Sequence, residues 1–89
     1  MAENQILINA LTAAVTDSPR IIVGRLESVG VKASGLAGAE TVVIEVSVNG
    51  AWVTATTLTA TAFTATITAS GIYRVTKGSS AGAVTVVAD

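Results

Sequence analysis

Apolar residues recur at every second position from Val42 to Val48. Val42, Ile44, Val46 and Val48 therefore share one face of a strand, and Val43, Glu45 and Ser47 share the other. Asn49-Gly50 follows, a pair that accepts positive φ at both places, as a type I′ hairpin turn requires. The stretch from Thr41 to Val53 thus predicts a β-hairpin. With a two-residue loop, Val46 pairs with Val53, Ile44 pairs with Ala55, and Trp52 stands opposite Ser47 on the outer face. A bulge at Gly50 instead turns Trp52 inward, among the core residues.

The same alternation runs through much of the chain. Ile21, Ile22 and Val23 are β-branched and favour a strand. Gly24 marks a bulge or bend, and Val29, Val31 and Ala33 then alternate with Ser28, Gly30 and Lys32. The segment 34–39 reads as a flexible turn. Thr54 to Thr68 carries a five-residue Thr-rich repeat that would flip faces at each period if it formed one strand. It divides into a strand over 52–58, a turn over 59–62 and a strand over 63–69, with Phe63, Ala65, Ile67 and Ala69 inward. Ser70-Gly71 turns into a strand from Ile72 to Val75. There the Tyr73 hydroxyl is placed to return to a main-chain group, as at the corners of Greek-key sandwiches. Residues 77–82 form the most mobile loop by composition, and 83–88 close the chain as a final strand.

Residues 1–17 admit two readings. Leu7, Leu11, Ala14 and Val15 fit one face of a short helix. Ile6 and Ile8 fit a strand or an extended arm. Thr16-Asp17-Ser18-Pro19 then marks a turn or linker. The expected organisation is an N-terminal arm or first strand over 1–17 and a β-sandwich domain over 18–89. Short strands with turns every eight to twelve residues predict an all-β protein. The expected fold is a small antiparallel sandwich of about seven strands, immunoglobulin-like or jelly-roll-like. Val42, Ile44, Val46, Phe63, Ile67 and Val86 are its predicted core.

Composition narrows the function classes. Of 89 residues, 51% are hydrophobic and only 12% charged, against about 25% charged in typical soluble domains. Val46 to Tyr73, a run of 28 residues, carries no charge at all. Threonine, serine and asparagine, together with a covering partner, are expected to shield that region. With no Cys and no His, disulfides, thiol catalysis and ordinary zinc sites are excluded. A net charge of −1 provides no basic footprint for nucleic acid. No stretch approaches the about 18 apolar residues of a membrane helix. The start Met1-Ala2-Glu3-Asn4-Gln5 lacks the basic n-region of a secretory signal.

Catalytic chemistry has little to stand on. Glu27, Glu40 and Glu45 are carboxylates without a paired general acid or base, and Glu45 belongs to a solvated strand face. Arg20, Arg25, Lys32, Arg74 and Lys77 form no run and read as solubilising or salt-bridging groups. No phosphate loop, metal cluster or nucleophile motif is present, and no cofactor is expected. Threonine ladders also line ice-binding surfaces, but three irregular repeats are too few. A lipid-facing hairpin would need large apolar residues where this chain has Thr.

The order of motifs points further. Leu11-Thr12-Ala13-Ala14 precedes Val23-Gly24-Arg25. Glu40 to Ser47 then runs into a Gly turn and Trp52-Val53. Gly71-Ile72-Tyr73-Arg74-Val75 and a small-residue last strand complete the series. Over most of residues 11–88 this order resembles small β-sandwich proteins encoded beside the capsid genes of tailed bacteriophages. Those proteins carry a longer Asp- and Gly-rich turn before the Trp, shortened here to Asn49-Gly50-Ala51.

The resemblance implies a virion structural protein that decorates or cements the capsid. It would be made in the host cytoplasm and seated on the capsid surface, with the major capsid protein as partner. A tail or head-fibre module binding carbohydrate and an immunoglobulin-like adhesion module are the competing expectations. A staple-free domain of this size gains from further burial, so a homotrimer on a three-fold lattice position is expected. The candidate interface is Ile6, Leu7, Ile8, Leu11 and Val15, together with Trp52. On that reading, a chain without residues 1–16 stays folded and loses its association with particles.

Overall fold

The computed structural model describes residues 5–88. Every regular element in it is a strand: β1 (Gln5–Leu11), β2 (Ile21–Val23), β3 (Val29–Ser34), β4 (Thr41–Val48), β5 (Ala51–Thr59), β6 (Thr64–Ile67), β7 (Gly71–Lys77) and β8 (Val84–Ala88). Two four-stranded sheets are ordered β1-β8-β3-β6 and β2-β7-β4-β5. All pairings are antiparallel. The pairs β1–β8, β2–β7, β3–β6 and β4–β5 are nested, as if the chain were folded in half at Asn49-Gly50 and then rolled into two layers. This wrapping is the jelly roll. It settles the choice between the two expected sandwich types, because the immunoglobulin order distributes its strands differently.

The hairpin at the fold's midpoint forms as expected. Asn49 and Gly50 have φ of 51° and 82°, and Val48, Ser47 and Val46 face Ala51, Trp52 and Val53. Beyond that the ladder shifts: Glu45 faces Thr54, whereas Ile44 faces Thr56 rather than Ala55. The extra residue is Ala55. An unbroken ladder would leave Leu58 on the same outer face as Trp52, since the two share parity. The bulge turns Leu58 inward opposite Val42, where it is 1% exposed. Gly50→Val is expected to cost roughly 1–2 kcal/mol, as strain at positive φ alone. A Cβ at that position meets no neighbour, and thermal unfolding of the variant checks the value.

The inward faces build one core. Val42, Ile44, Ile67 and Val86 are buried as expected, joined by Ile8, Ile21, Val29, Val31, Tyr73, Val75 and Val84. Val46 is half-buried against that cluster. Phe63 corrects the predicted core, because its ring is 46% exposed. It keeps the inward parity of β6 but lies ahead of the strand's first residue. It lines a shallow groove with Ala33, Ser34, Gly35, Leu36 and Ala60, most of them too small to cover it. Strand β6 ends at Ile67, so Ala69 is exposed rather than inward. Its carbonyl accepts the Tyr73 hydroxyl at 2.7 Å, the corner bond expected of that tyrosine.

Residues 5–11 are the first strand of the sandwich. Between Ile6 and Ile8 the partner on β8 moves only from Val87 to Val86, so Leu7 is an extra residue. That bulge lets consecutive Leu7 and Ile8 both face the core, which strict alternation forbids. The helix face suggested by Leu7, Leu11, Ala14 and Val15 does not form, and the strand reading of Ile6 and Ile8 holds. After β1 the chain stays attached: Val15 exchanges backbone hydrogen bonds with Lys77 at 2.9 and 2.8 Å. Residues 1–4 and Asp89, at the ends of the two expected segments, lie outside the described residues.

Ser18 closes a gap left by β2. That strand pairs with β7 only from Tyr73 to Gly71. The Val75 amide is donated instead to the Ser18 hydroxyl at 2.9 Å, in a buried setting. Ser18→Ala leaves that amide buried without an acceptor, a loss of about 1–3 kcal/mol. Urea unfolding of the variant, compared with Ser18→Thr, measures it.

Candidate interaction surfaces

The outer face of the β2-β7-β4-β5 sheet collects groups far apart in sequence. Ile22 and Ile72 face each other across β2 and β7, and they are 70% and 46% exposed. In the next row Arg74 lies opposite Glu45 and donates from Nε to Oε1 at 2.7 Å. Arg74 Nη1 is also 3.5 Å from Asp17 Oδ1. Arg20 Nη1 donates to the same carboxylate oxygen at 2.7 Å and to the Ser18 carbonyl at 2.8 Å. The guanidinium carbons of Arg20 and Arg74 lie 4.8 and 4.3 Å from the centre of the Trp52 ring.

Two acids and two arginines thus cancel in charge around one indole. Such cation–ring contacts contribute about 0.5–2 kcal/mol each, depending on desolvation. The exposed ion pairs add little individually. Their joint effect is positional: Trp52 is half-buried and fixed on the sheet. Glu45, expected on a solvated face, is instead an ion-pair partner with a side chain only 19% exposed.

A second cluster joins the loops at one end of the sandwich. Glu40 accepts the Ala37 amide at 3.0 Å through Oε1 and the Ala81 amide at 2.8 Å through Oε2, bridging two loops. Lys77 is buried at 6% exposure. Its ammonium donates to the Gly78 carbonyl at 2.9 Å and to Ser80 Oγ at 3.2 Å. The Ser80 amide is held by the Thr12 carbonyl at 2.8 Å. The 77–82 loop, expected to be the most mobile, is therefore tied at several points. These groups line a groove with Thr41 and Ser79, but the bonds just described hold its lysine and carboxylate to the loops. Among the described residues no three His, Cys, Asp or Glu side chains come together as a metal site would require.

Both clusters couple stability to pH. Hydrogen bonding from Arg20, with its charge and that of Arg74, holds Asp17 below its ordinary value. The Ala81 and Ala37 amides, with a smaller contribution from the Lys77 charge, do the same for Glu40. A carboxyl more acidic in the folded state than in the unfolded one stabilises fully above the ordinary carboxylate range. That contribution is lost as pH falls through the lower, folded value. The melting temperature is therefore expected to hold between pH 7 and about pH 5 and to drop as the pH falls through about 4 and below. Glu40→Gln should flatten part of that slope, as read by melting curves across the pH series.

The expected interface residues divide. Ile6 and Leu11 are 56% and 44% exposed. Leu7 and Ile8, at 5% and 2%, belong to the core and cannot meet a partner. Val15 is half-buried against the core. Trp52 lies outward, the outcome expected of a two-residue turn. Ile22, Ile72, Arg20, Arg74 and Asp17 escaped the sequence-based selection. The one legible sign was Ile22, the middle of three β-branched residues, whose neighbours both face inward. No protein-family model matches the chain, and no curated protein or solved structure matches it either.

Proposed function

We propose that this chain is a virion structural protein of the capsid-decoration type, binding the major capsid protein through the outer face of its β2-β7-β4-β5 sheet. The observation that carries this reading is the exposed Ile22–Ile72 pair on the same face as a Trp braced by two arginines. Tryptophan and arginine are enriched at the energetic centres of protein interfaces, where charge is neutralised and water is excluded. The jelly-roll order adds support by analogy, since viral capsid domains use it, as lectins do. The carbohydrate-binding alternative is supported less well. A sugar stacks on an open aromatic face, and here guanidinium groups lie over the indole.

The test is co-sedimentation with purified capsids that lack the protein. The wild-type chain is expected to pellet with the particles. Ile22→Asp with Ile72→Asp should weaken binding roughly 10-fold or more. Both side chains project into solvent, so circular dichroism should be unchanged. Undiminished binding of a folded double variant would contradict the assignment of this face.

A further inference from the structure

Among the described residues four strand edges are open in the sandwich: β1 and β6 in one sheet, β2 and β5 in the other. Proteins blunt such edges by shortness, bulges, charge or proline. Strand β1 has two register shifts and a positive φ of 52° at Ala10. Strand β2 has three residues and follows Pro19-Arg20, and β6 has four. Strand β5 is different. It has nine residues, Ala51–Thr59, with no charge, no proline and no glycine. Its single protection is the bulge at Ala55.

The direction of its free backbone groups follows from the hairpin. A two-residue turn makes Val48–Ala51 a hydrogen-bonded pair, and such pairs alternate along an antiparallel ladder. Trp52, Thr54 and, past the bulge, Thr57 therefore turn their N–H and C=O groups away from β4. At Thr59 the amide is already taken by the Ala62 carbonyl at 3.0 Å, which ends the usable edge.

We propose that β5 pairs antiparallel with β5 of a second copy of this chain, across a two-fold axis between Ala55 and Thr56. In this register Thr54 of each copy faces Thr57 of the other. The two bulges then lie opposite one another, so the extra residue in one strand is matched by that in its partner. The defect that disqualifies β5 for a regular strand suits it to itself. A second copy fits better than an unrelated strand for that reason. It also fits because an uncharged edge suffers no like-charge repulsion when it meets its own image. The result is one eight-stranded sheet that sets two Trp52 faces side by side, so that docking can be bivalent. A strand paired with itself needs two-fold symmetry, so β5 favours a dimer over the trimer expected on a three-fold lattice position. The inference stands on the edge geometry, independently of the virion reading.

Two measurements test it on the full chain. In sedimentation equilibrium the wild-type protein is expected at twice the 8.8 kDa chain mass. Thr57→Pro removes an outward amide while leaving the β4 ladder intact, and is expected to halve that mass with an unchanged circular dichroism spectrum. Independently, Thr54→Cys with Thr57→Cys places thiols on facing residues about 5.5 Å apart at Cα, within disulfide reach. The chain has no other cysteine. Mild oxidation should yield a covalent dimer from the double variant and none from either single variant. A monomeric or trimeric wild type, or equal cross-linking by the single variants, overturns the proposal.

Discussion

Removal of residues 1–11 is expected to unfold the domain rather than to free it from a partner. Strand β1 is an edge strand, but its contribution to the core is not marginal. Leu7 and Ile8 are almost fully buried, and each loses about 1.5–3 kcal/mol of apolar burial when removed. The space they vacate lies over Val84 and Val86, which pair with β1 and are fully buried. Water would reach both, and the β8 ladder would lose its outer partner. The sum consumes much of the about 5–15 kcal/mol that holds a domain of ordinary stability. Far-UV circular dichroism and thermal unfolding of residues 12–89 provide the check. A cooperative transition near that of the full chain would restore the reading of this segment as an arm.

Gly35→Ala is expected to lower stability by roughly 3 kcal/mol, about 12–24 °C in Tm for a domain of this size. Gly35 follows β3 with φ of 91°, a conformation that strains any residue with a Cβ. A Cβ at this position would also collide with the Ala83 carbonyl oxygen, just ahead of β8. A flexible side chain could swing aside, but a main-chain carbonyl moves only by displacing the start of β8, whose Val84 is fully buried. Gly38→Ala is the internal control. Its φ is also positive, at 58°, but nothing lies within contact of a new Cβ. The difference between the two melting temperatures reports the collision together with the extra strain of a φ of 91° over one of 58°.

What was legible in the sequence was local. Alternation from Val42 to Val48 and the Asn49-Gly50 pair specify a hairpin without help from the rest of the chain. The Tyr73 corner and the turn over 59–62 likewise depend on neighbours within a few residues. The Thr59 amide and hydroxyl close that turn on Ala62. What escaped depends on bulges and on distant pairing. Ala55 is one small residue in a run of threonines and alanines, and nothing in its neighbours marks it as extra. Only the demand that Leu58 enter the core reveals it. The bulge at Leu7 is equally unmarked: a strand over Ile6 and Ile8 is one of the two readings, but two successive residues facing the core is not. Phe63 followed the correct parity, but parity does not say where the opposing layer ends.

The outer-face cluster was beyond local reading altogether. Asp17, Glu45, Trp52 and Arg74 meet only because the nested fold lays β7 between β2 and β4. Glu45 and Arg74 are 29 residues apart in sequence. Read singly, each is an ordinary surface residue. Together they neutralise one another and fix an aromatic ring, which is why the proposed interaction face emerges from the fold and not from a motif.

The measurement that bears most directly on the proposed role is the copy number of this chain in particles purified from its source. Quantitative mass spectrometry against the major capsid protein gives the ratio. A decoration protein is expected at a fixed ratio close to that of the shell subunit, constant across preparations and unaffected by removal of tails. Absence from the particle, or a copy number that follows the tail instead of the shell, would contradict the proposed role.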